Sequence, residues 1–215
     1  LTPSYTIGCK RVLLSSNYYP SLSRDNVAVV TDPITEVRPA GVVTGDGTLH
    51  EVDTIIFGTG FRVTDVPIAK AIRGRDGRTL ADAWHDTMRA YLGITVTGFP
   101  NLFLLLGPNT GLGHNSVVFM IECQVAYVLD ALAHLDRERL GAVEPTARAQ
   151  QTFVAEVDRR MAPTVWLQGG CHSWYLDAGG RNSTLWPGYT WAYRLRTRRF
   201  DPAAYAGVNS AGVRT

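Results

Sequence analysis

At 215 residues the chain falls between one and two average domains, and 45% hydrophobic residues with 10% aromatics suffice to bury a substantial core. Its 21 basic and 19 acidic residues are mixed along the chain to a formal net charge of +2. That balance leaves no electrostatic footprint for nucleic acid or an anionic membrane and points to small molecules or protein as partners.

The chain opens at Leu1 with no initiator Met, charged n-region or apolar h-region, so it is expected to be cut or incomplete. Gly8-Cys9-Lys10-Arg11 then precedes Val12-Leu13-Leu14 and the aromatic pair Tyr18-Tyr19. A Lys-Arg pair is most often solvated surface, but neighbours in extended chain point opposite ways, so Lys10 and Arg11 could also serve two anions. From Val27 to Phe57, β-rich segments alternate with turn signals: Val27–Val30, Ile34–Val37, Gly41–Thr44, the Gly45-Asp46-Gly47 turn, and Asp53–Phe57. The consecutive apolar residues of Thr54–Phe57 predict an inner strand of a parallel sheet, buried on both faces, and Leu102–Leu106 has the same character.

Gly58-Thr59-Gly60 follows the first of these runs as in a dinucleotide fingerprint, yet Val63 stands where Gly or Ala is needed and Pro67 interrupts the helix that should follow. A tight crossing between strands, or a hinge or close backbone contact between domains, is expected instead. Residues 62–98 read as an insertion, with a turn at Gly74–Gly77 and a short helix at Leu80–His85.

The segment Gly107-Pro108-Asn109-Thr110-Gly111-Leu112-Gly113-His114-Asn115-Ser116 leads into the clearest helix, with Val117, Ile121, Val125, Val128, Leu132 and Leu135 at helical spacing and Ser116 or Asn115 as N-cap. Glycines admit a ligand to backbone N–H groups, and a helix start adds unpaired donors and partial positive charge. A ligand site for an anion and a plain capped turn both satisfy that spacing. A second helix is predicted over Ala147–Met161, ended by Pro163. From Trp166 the chain turns rich in glycine and aromatic residues, suited to line a pocket or to pack an irregular segment. Trp191–Phe200 reads as a strand or extended segment with Arg194, Arg196, Arg198 and Arg199 on its exposed face.

The longest apolar run, within Phe99–Leu106, is far short of the roughly 20 residues of a membrane span, so none is expected. Cys9, Cys123 and Cys171 are odd in number and widely spaced, which fits free thiols in a reducing cytoplasm better than a disulfide framework; no metal site is expected. Asn182-Ser183-Thr184 has the form of a glycosylation sequon.

Taken in order, Gly8-Cys9-Lys10-Arg11, Tyr18-Tyr19, Asp53 to Phe61, Tyr91-Leu92-Gly93, Gly98 to Pro108, the helix start at Gly111–Glu122 and Ser173-Trp174-Tyr175 resemble the class B flavoprotein monooxygenases. Among these the set is most similar to the Baeyer-Villiger monooxygenases, including the 4-hydroxyacetophenone monooxygenase-like group, over Tyr5 to Tyr205. The resemblance implies an α/β chain: part of a three-layer FAD/NAD(P)-binding fold, with late strands and helices of the FAD domain, a small β-meander and an irregular aromatic C-terminal segment. Residues 1–52 would end the NADP-binding domain and form a hairpin linker, 53–165 would belong to the FAD-binding domain with the insertion at 62–98, and 166–215 would lie near the active site.

The implied enzyme uses NADPH to reduce FAD, adds O2 to the flavin, and inserts oxygen beside a ketone carbonyl to give an ester or lactone. By position, Arg11 would stabilise the flavin peroxide, Lys10 would meet the 2'-phosphate of NADPH, and Trp174 would contact the nicotinamide ribose. Gly58, Thr59 and Gly60, with Gly58 in place of Ala, would stand at the junction of the nucleotide domains, and Gly107, Pro108, Asn109, Gly111, Gly113, His114, Asn115 and Ser116 under the isoalloxazine ring. The family's two GxGxxG-type fingerprints and its FxGxxxHxxxW-type signature do not occur here. The chain alone is therefore expected to bind FAD weakly or not at all, with an absent N-terminal half as its partner. An N- or S-oxidising flavin monooxygenase and a non-catalytic truncated module are the alternatives.

Overall fold

The computed structural model describes residues 2–60 and 63–208, and the chain divides into two compact units, Leu13–Phe61 and Leu1–Val12 with Arg62–Thr215. Phe61 and Arg62, which follow the glycine pair, lie outside the described residues.

Local turn chemistry builds Leu13–Phe61. Helix α1 (Tyr18–Leu22) is a single short stretch with no buried residue. Strands β1 (Ile34–Arg38), β2 (Gly41–Thr44) and β3 (Leu49–Glu51) form an antiparallel meander in that order, as two of the predicted segments require. Arg38 pairs with Gly41 and Val43 with Leu49 across the two turns. Gly41 has no room for a side chain, since a Cβ there would run into the His50 carbonyl. Asp46 holds the second turn: its carboxylate accepts from Thr44 Oγ1 at 2.6 Å, the Thr48 N–H at 3.0 Å and Thr48 Oγ1 at 2.8 Å. These donors, the Thr44 hydroxyl foremost, hold its pKa down at about 2.

Two expected strands are corrected here. Val27–Val30 and Asp53–Phe57 have no ladder partner among the described residues, and Ile56 and Phe57 stand 91% and 81% exposed. An apolar run becomes an inner strand only when strands on both sides take its N–H and C=O groups; no parallel strand pair exists among the described elements.

The other unit has two apolar cores. The insertion forms the smaller: a 3-10 turn (Pro67–Lys70) and helix α2 (Leu80–Trp84) enclose Ala69, Leu80, Trp84, Ala90, Val96 and Phe99. A capping box between Thr79 and Asp82 starts α2. Buried Glu144 ties this insertion to the next elements, binding Arg75 at 2.9 Å and the Gly98 N–H at 3.0 Å.

The larger core lies along one face of helix α3 (Val117–Glu138), where Met120, the adjacent pair Cys123 and Gln124, Tyr127, Ala131 and Leu135 are buried at steps of three or four positions. Strand β4 (Ala142–Pro145) pairs antiparallel with β5 (Tyr205–Val208). Between them lie α4 (Ala147–Met161), capped by Thr146 as the predicted helix boundary demands, α5 (Val165–Gln168) and α6 (Thr190–Thr197). Phe153, Trp186, Tyr193, Phe200 and Tyr205 fill the space against α3. Helix α3 is long and apolar enough to cross a membrane by length and composition; 28% of that apolar stretch is buried, and the helix packs against α6.

Three further readings change. Leu102–Leu106 is irregular rather than a strand, held by Leu104 N–H to Ile94 O at 2.7 Å and Leu106 N–H to Gln124 Oε1 at 2.9 Å. Trp191–Phe200 is mostly helical: Tyr193 and Thr197, four apart, are buried while Leu195 between them is 56% exposed, so the apparent alternation had period 3.6 rather than 2. Its arginines therefore point around a helix, Arg196 onto Glu156 and Arg194 over the Phe119 ring at 5.8 Å. Finally, Cys9 and Cys171 form a disulfide across 162 residues, with Cα atoms 6.2 Å apart, because the Thr6 N–H bonds to Gly169 O at 2.9 Å and lays the two segments together. Cys123 is a buried free thiol, its pKa raised by burial.

Candidate functional site

The Gly107–Ser116 loop is folded by close approach of the chain to itself. A Cβ on Gly107 would strike the Gly93 carbonyl, one on Gly111 would lie 3.0 Å from the Thr184 carbonyl, and one on Gly113 would lie 3.2 Å from the Trp166 ring. Packing, not access for a ligand, is the visible reason for these glycines. Gly111 N–H bonds to Thr184 O at 2.9 Å, making a parallel bridge to Leu185, and Trp186 N–H returns to Gly111 O at 2.9 Å. Pro108, Asn109 and Thr110 are buried, and Asn109 turns its amide inward to Asn182 O at 2.7 Å and Leu185 O at 3.1 Å.

The outer part of the loop is different. His114, Asn115 and Ser116 are exposed, and His114 stacks near Trp166 with ring centroids 6.4 Å apart. Ser116 is the N-cap of α3 but makes no side-chain cap bond. Asn115 Oδ1 accepts the Ser116 N–H at 2.7 Å, and its amide donates to Thr190 Oγ1 at 3.3 Å. Neither candidate cap residue therefore covers the first turn of α3, and those backbone donors have no side-chain acceptor among the described residues.

Arg11 is brought to this loop over 101 residues: Nη1 donates to Leu112 O at 2.8 Å. Arg11 is exposed, and its guanidinium has no second hydrogen-bond acceptor among the described residues. Tyr175 lies within the electrostatic reach of Arg11; burial raises its pKa, and Arg11 lowers it to a lesser degree. Trp174, 52% exposed, packs on Tyr175 with ring centroids 4.4 Å apart. The Cys9–Cys171 disulfide and the Thr6–Gly169 bond hold the Arg11 and Trp174 segments side by side. Lys10 is exposed with Nζ 4.9 Å from the Tyr5 ring centroid.

Beside Gly107 and Pro108 lies an apolar cavity of about 320 Å3, walled by Val66, Trp84, Met88 and Leu104 and reached by Ser183 and Thr184. Both hydroxyls are buried and unpartnered among the described residues. An apolar space with two unused hydroxyls, beside Val117 at the start of α3, suits a flat ring with an electron-rich polar edge.

Gly58, Thr59 and Gly60 belong to the Leu13–Phe61 unit and are exposed; Gly60 has φ +84°, and a Cβ on either glycine would meet nothing. Sequence reasoning assigned Arg181 no role, and Cys9 and Cys171 were expected as free thiols rather than a pair. Their signals were present: a charged residue set among aromatic rings, and two cysteines each within three residues of a site side chain. Asn182, the first residue of the sequon, is 1% exposed and occupied by backbone N–H groups of Thr184 and Leu185.

No family model matches the chain. Solved structures that share its fold include flavin monooxygenases. "Oxidized steroid monooxygenase bound to NADP" matches with a TM-score of 0.82 and 32% identity over 97% of this chain and 40% of that one. "OTEMO complex with FAD and NADP" matches with a TM-score of 0.77 and 32% identity over 88% of this chain and 36% of that one. Among curated relatives, a protein of Pseudomonas aeruginosa named "Baeyer-Villiger monooxygenase" is 53% identical over 206 residues, 95% of this chain and 39% of its own length. The chain is thus a homologue of the Baeyer-Villiger monooxygenases, as its motifs suggested, and spans about two fifths of the length of the relatives it matches.

Proposed function

We propose that this chain is part of an FAD- and NADPH-dependent monooxygenase that inserts one oxygen atom of O2 beside a ketone carbonyl, giving an ester or lactone. The observation that carries the reading is the Arg11 Nη1 bond to Leu112 O at 2.8 Å, which sets a cation at the loop leading into the uncapped start of α3. Bound FAD, reduced by NADPH, supplies the oxygen-transfer chemistry. The chain's own residues bind and orient. Arg11 stays charged throughout turnover and keeps donors free for a developing oxyanion. The first turn of α3 adds donors for an electron-rich ring edge, Trp174 offers a ring face to the nicotinamide ribose, and Lys10 a point charge to the 2'-phosphate.

In this reading the chain contributes late elements of the FAD domain, with the meander as the link from the NADP-binding domain and Gly58–Gly60 at their junction. Phosphate loops come from the remainder of the enzyme, so the 215-residue chain by itself loses FAD on desalting. In the complete enzyme, Arg11→Ala is expected to leave NADPH-driven flavin reduction intact while ester or lactone formation falls by about 100-fold or more. Product formed at the normal rate would remove the role given to Arg11. Parallel product analysis with a thioether separates the branches: sulfoxide without ester places the enzyme among heteroatom oxidisers.

A further inference from the structure

Resting on that functional reading, we propose that Arg181 is a positioning residue that sets the loop carrying the Arg11 contact. Arg181 lies 16% exposed, and all three of its guanidinium nitrogens are engaged on different segments. Nε donates to Asp158 Oδ1 on α4 at 2.8 Å, Nη1 to Met88 O at 3.0 Å and more weakly to Thr87 Oγ1 at 3.4 Å, and Nη2 to Asn109 Oδ1 at 3.0 Å.

The last bond matters most. Asn109 sits at φ +58°, in the left-handed region, which asparagine adopts more readily than other residues with a side chain. Its amide is oriented by what it faces: Oδ1 takes the Arg181 donor, which directs Nδ2 at the carbonyls of Asn182 and Leu185, while its own N–H bonds to Ser183 O at 2.8 Å. Three residues further on, the Leu112 carbonyl receives Arg11. A continuous line thus runs from Asp158 through Arg181 and Asn109 to the loop position that Arg11 reads. The planar fork matters: a lysine ammonium also has three donors, but all on one nitrogen, whereas these acceptors are met by three separate guanidinium nitrogens. Asp158, whose carboxylate pairs with the Arg181 guanidinium, is 45% exposed and serves as an outer anchor, while the Asp177 carboxylate accepts the Arg181 backbone N–H at 2.9 Å.

The test uses the complete enzyme with and without FAD. In Arg181→Lys and Arg181→Ala, amide hydrogen exchange across residues 107–116 of the apo-protein should rise roughly tenfold or more, and FAD affinity should fall by a similar factor, consistent with loss of charge-assisted hydrogen bonds. The peroxide released per NADPH should increase, while exchange in α3 beyond its first turn stays at its wild-type rate. Millimolar guanidinium should restore FAD affinity in Arg181→Ala. Asp158→Asn, a milder change at a half-exposed position, should give the same pattern at smaller amplitude and supplies the answer if the Arg181 variants fail to fold. Unchanged loop exchange and FAD affinity would overturn the proposal, as would loosening spread evenly over α3, α4 and the loop. The exchange measurement is independent of turnover, so a wild-type enzyme that oxygenates no ketone removes the proposed function and leaves the positioning role of Arg181 to stand or fall on loop exchange.

Discussion

The two units of this chain carry similar apolar signals and treat them in opposite ways. In Leu13–Phe61 the strands form through turn residues and backbone pairing, and of their members only Gly41, Val43 and Thr44 are buried. In the other unit, apolar and aromatic side chains from sequence-distant segments close on α3, and even polar groups are placed by that core: buried Gln124 bonds the Leu106 N–H, and Tyr193 OH, which takes a bond from Gln124, donates to Leu92 O at 2.7 Å. Pairing of neighbours can shape a meander without a deep interior, whereas a precise loop geometry needs an interior behind it.

Cutting into the larger core should therefore have the greatest effect. Trp186 is 1% exposed, stacks on Phe153 with centroids 6.4 Å apart, and meets Tyr193 edge-on at 5.3 Å. Trp186→Ala is expected to cost about 3–5 kcal/mol, read as a fall in the denaturant midpoint together with loss of protection in α3 and α6. A midpoint unchanged from the parent chain would show that this aromatic cluster does not hold the unit together.

The meander should respond to acid rather than to cavity formation. Asp46 has its folded pKa held at about 2, below the ordinary carboxylate value, so its contribution is complete above roughly pH 4 and is lost as the pH falls toward 2. Asp46→Asn should remove that acid dependence and speed amide exchange at residues 44–48, leaving the α3 core as it was. An Asp46→Asn chain that keeps the same acid-induced loosening of the turn would refute the assignment. The smallest effect is expected at Ile56→Ser. With 91% exposure in this chain its cost should lie within about 0.5 kcal/mol. A loss several times larger would mean that the Asp53–Phe57 run is buried in solution.

Much of this contrast was legible beforehand. The spacing around Val117–Leu135 and Ala147–Met161 located α3 and α4, because helical periodicity and capping are written in neighbouring residues. The Gly45-Asp46-Gly47 turn located the β2–β3 connection for the same reason. Asp53–Phe57 and Leu102–Leu106 misled because a fully apolar run states that burial is wanted without stating what will cover it. Trp191–Phe200 misled because a short stretch with few buried positions fits periods of 2 and 3.6 almost equally well.

At the site, the residue types at Arg11, Gly107–Ser116 and Trp174 and their order along the chain were enough to mark the resemblance to Baeyer-Villiger monooxygenases. Their assembly was not. The bond from Arg11 to Leu112 spans 101 residues, and the Cys9–Cys171 link spans 162. The reach of Arg181 to Asn109 spans 72. No local pattern encodes such pairings, since they arise only when α3, α4 and the C-terminal segment pack and bring distant backbone within hydrogen-bond range. The sequence by itself determined which chemistry was present; tertiary packing decided which of those groups meet, and showed that the loop's glycines are needed for the chain's own close contacts.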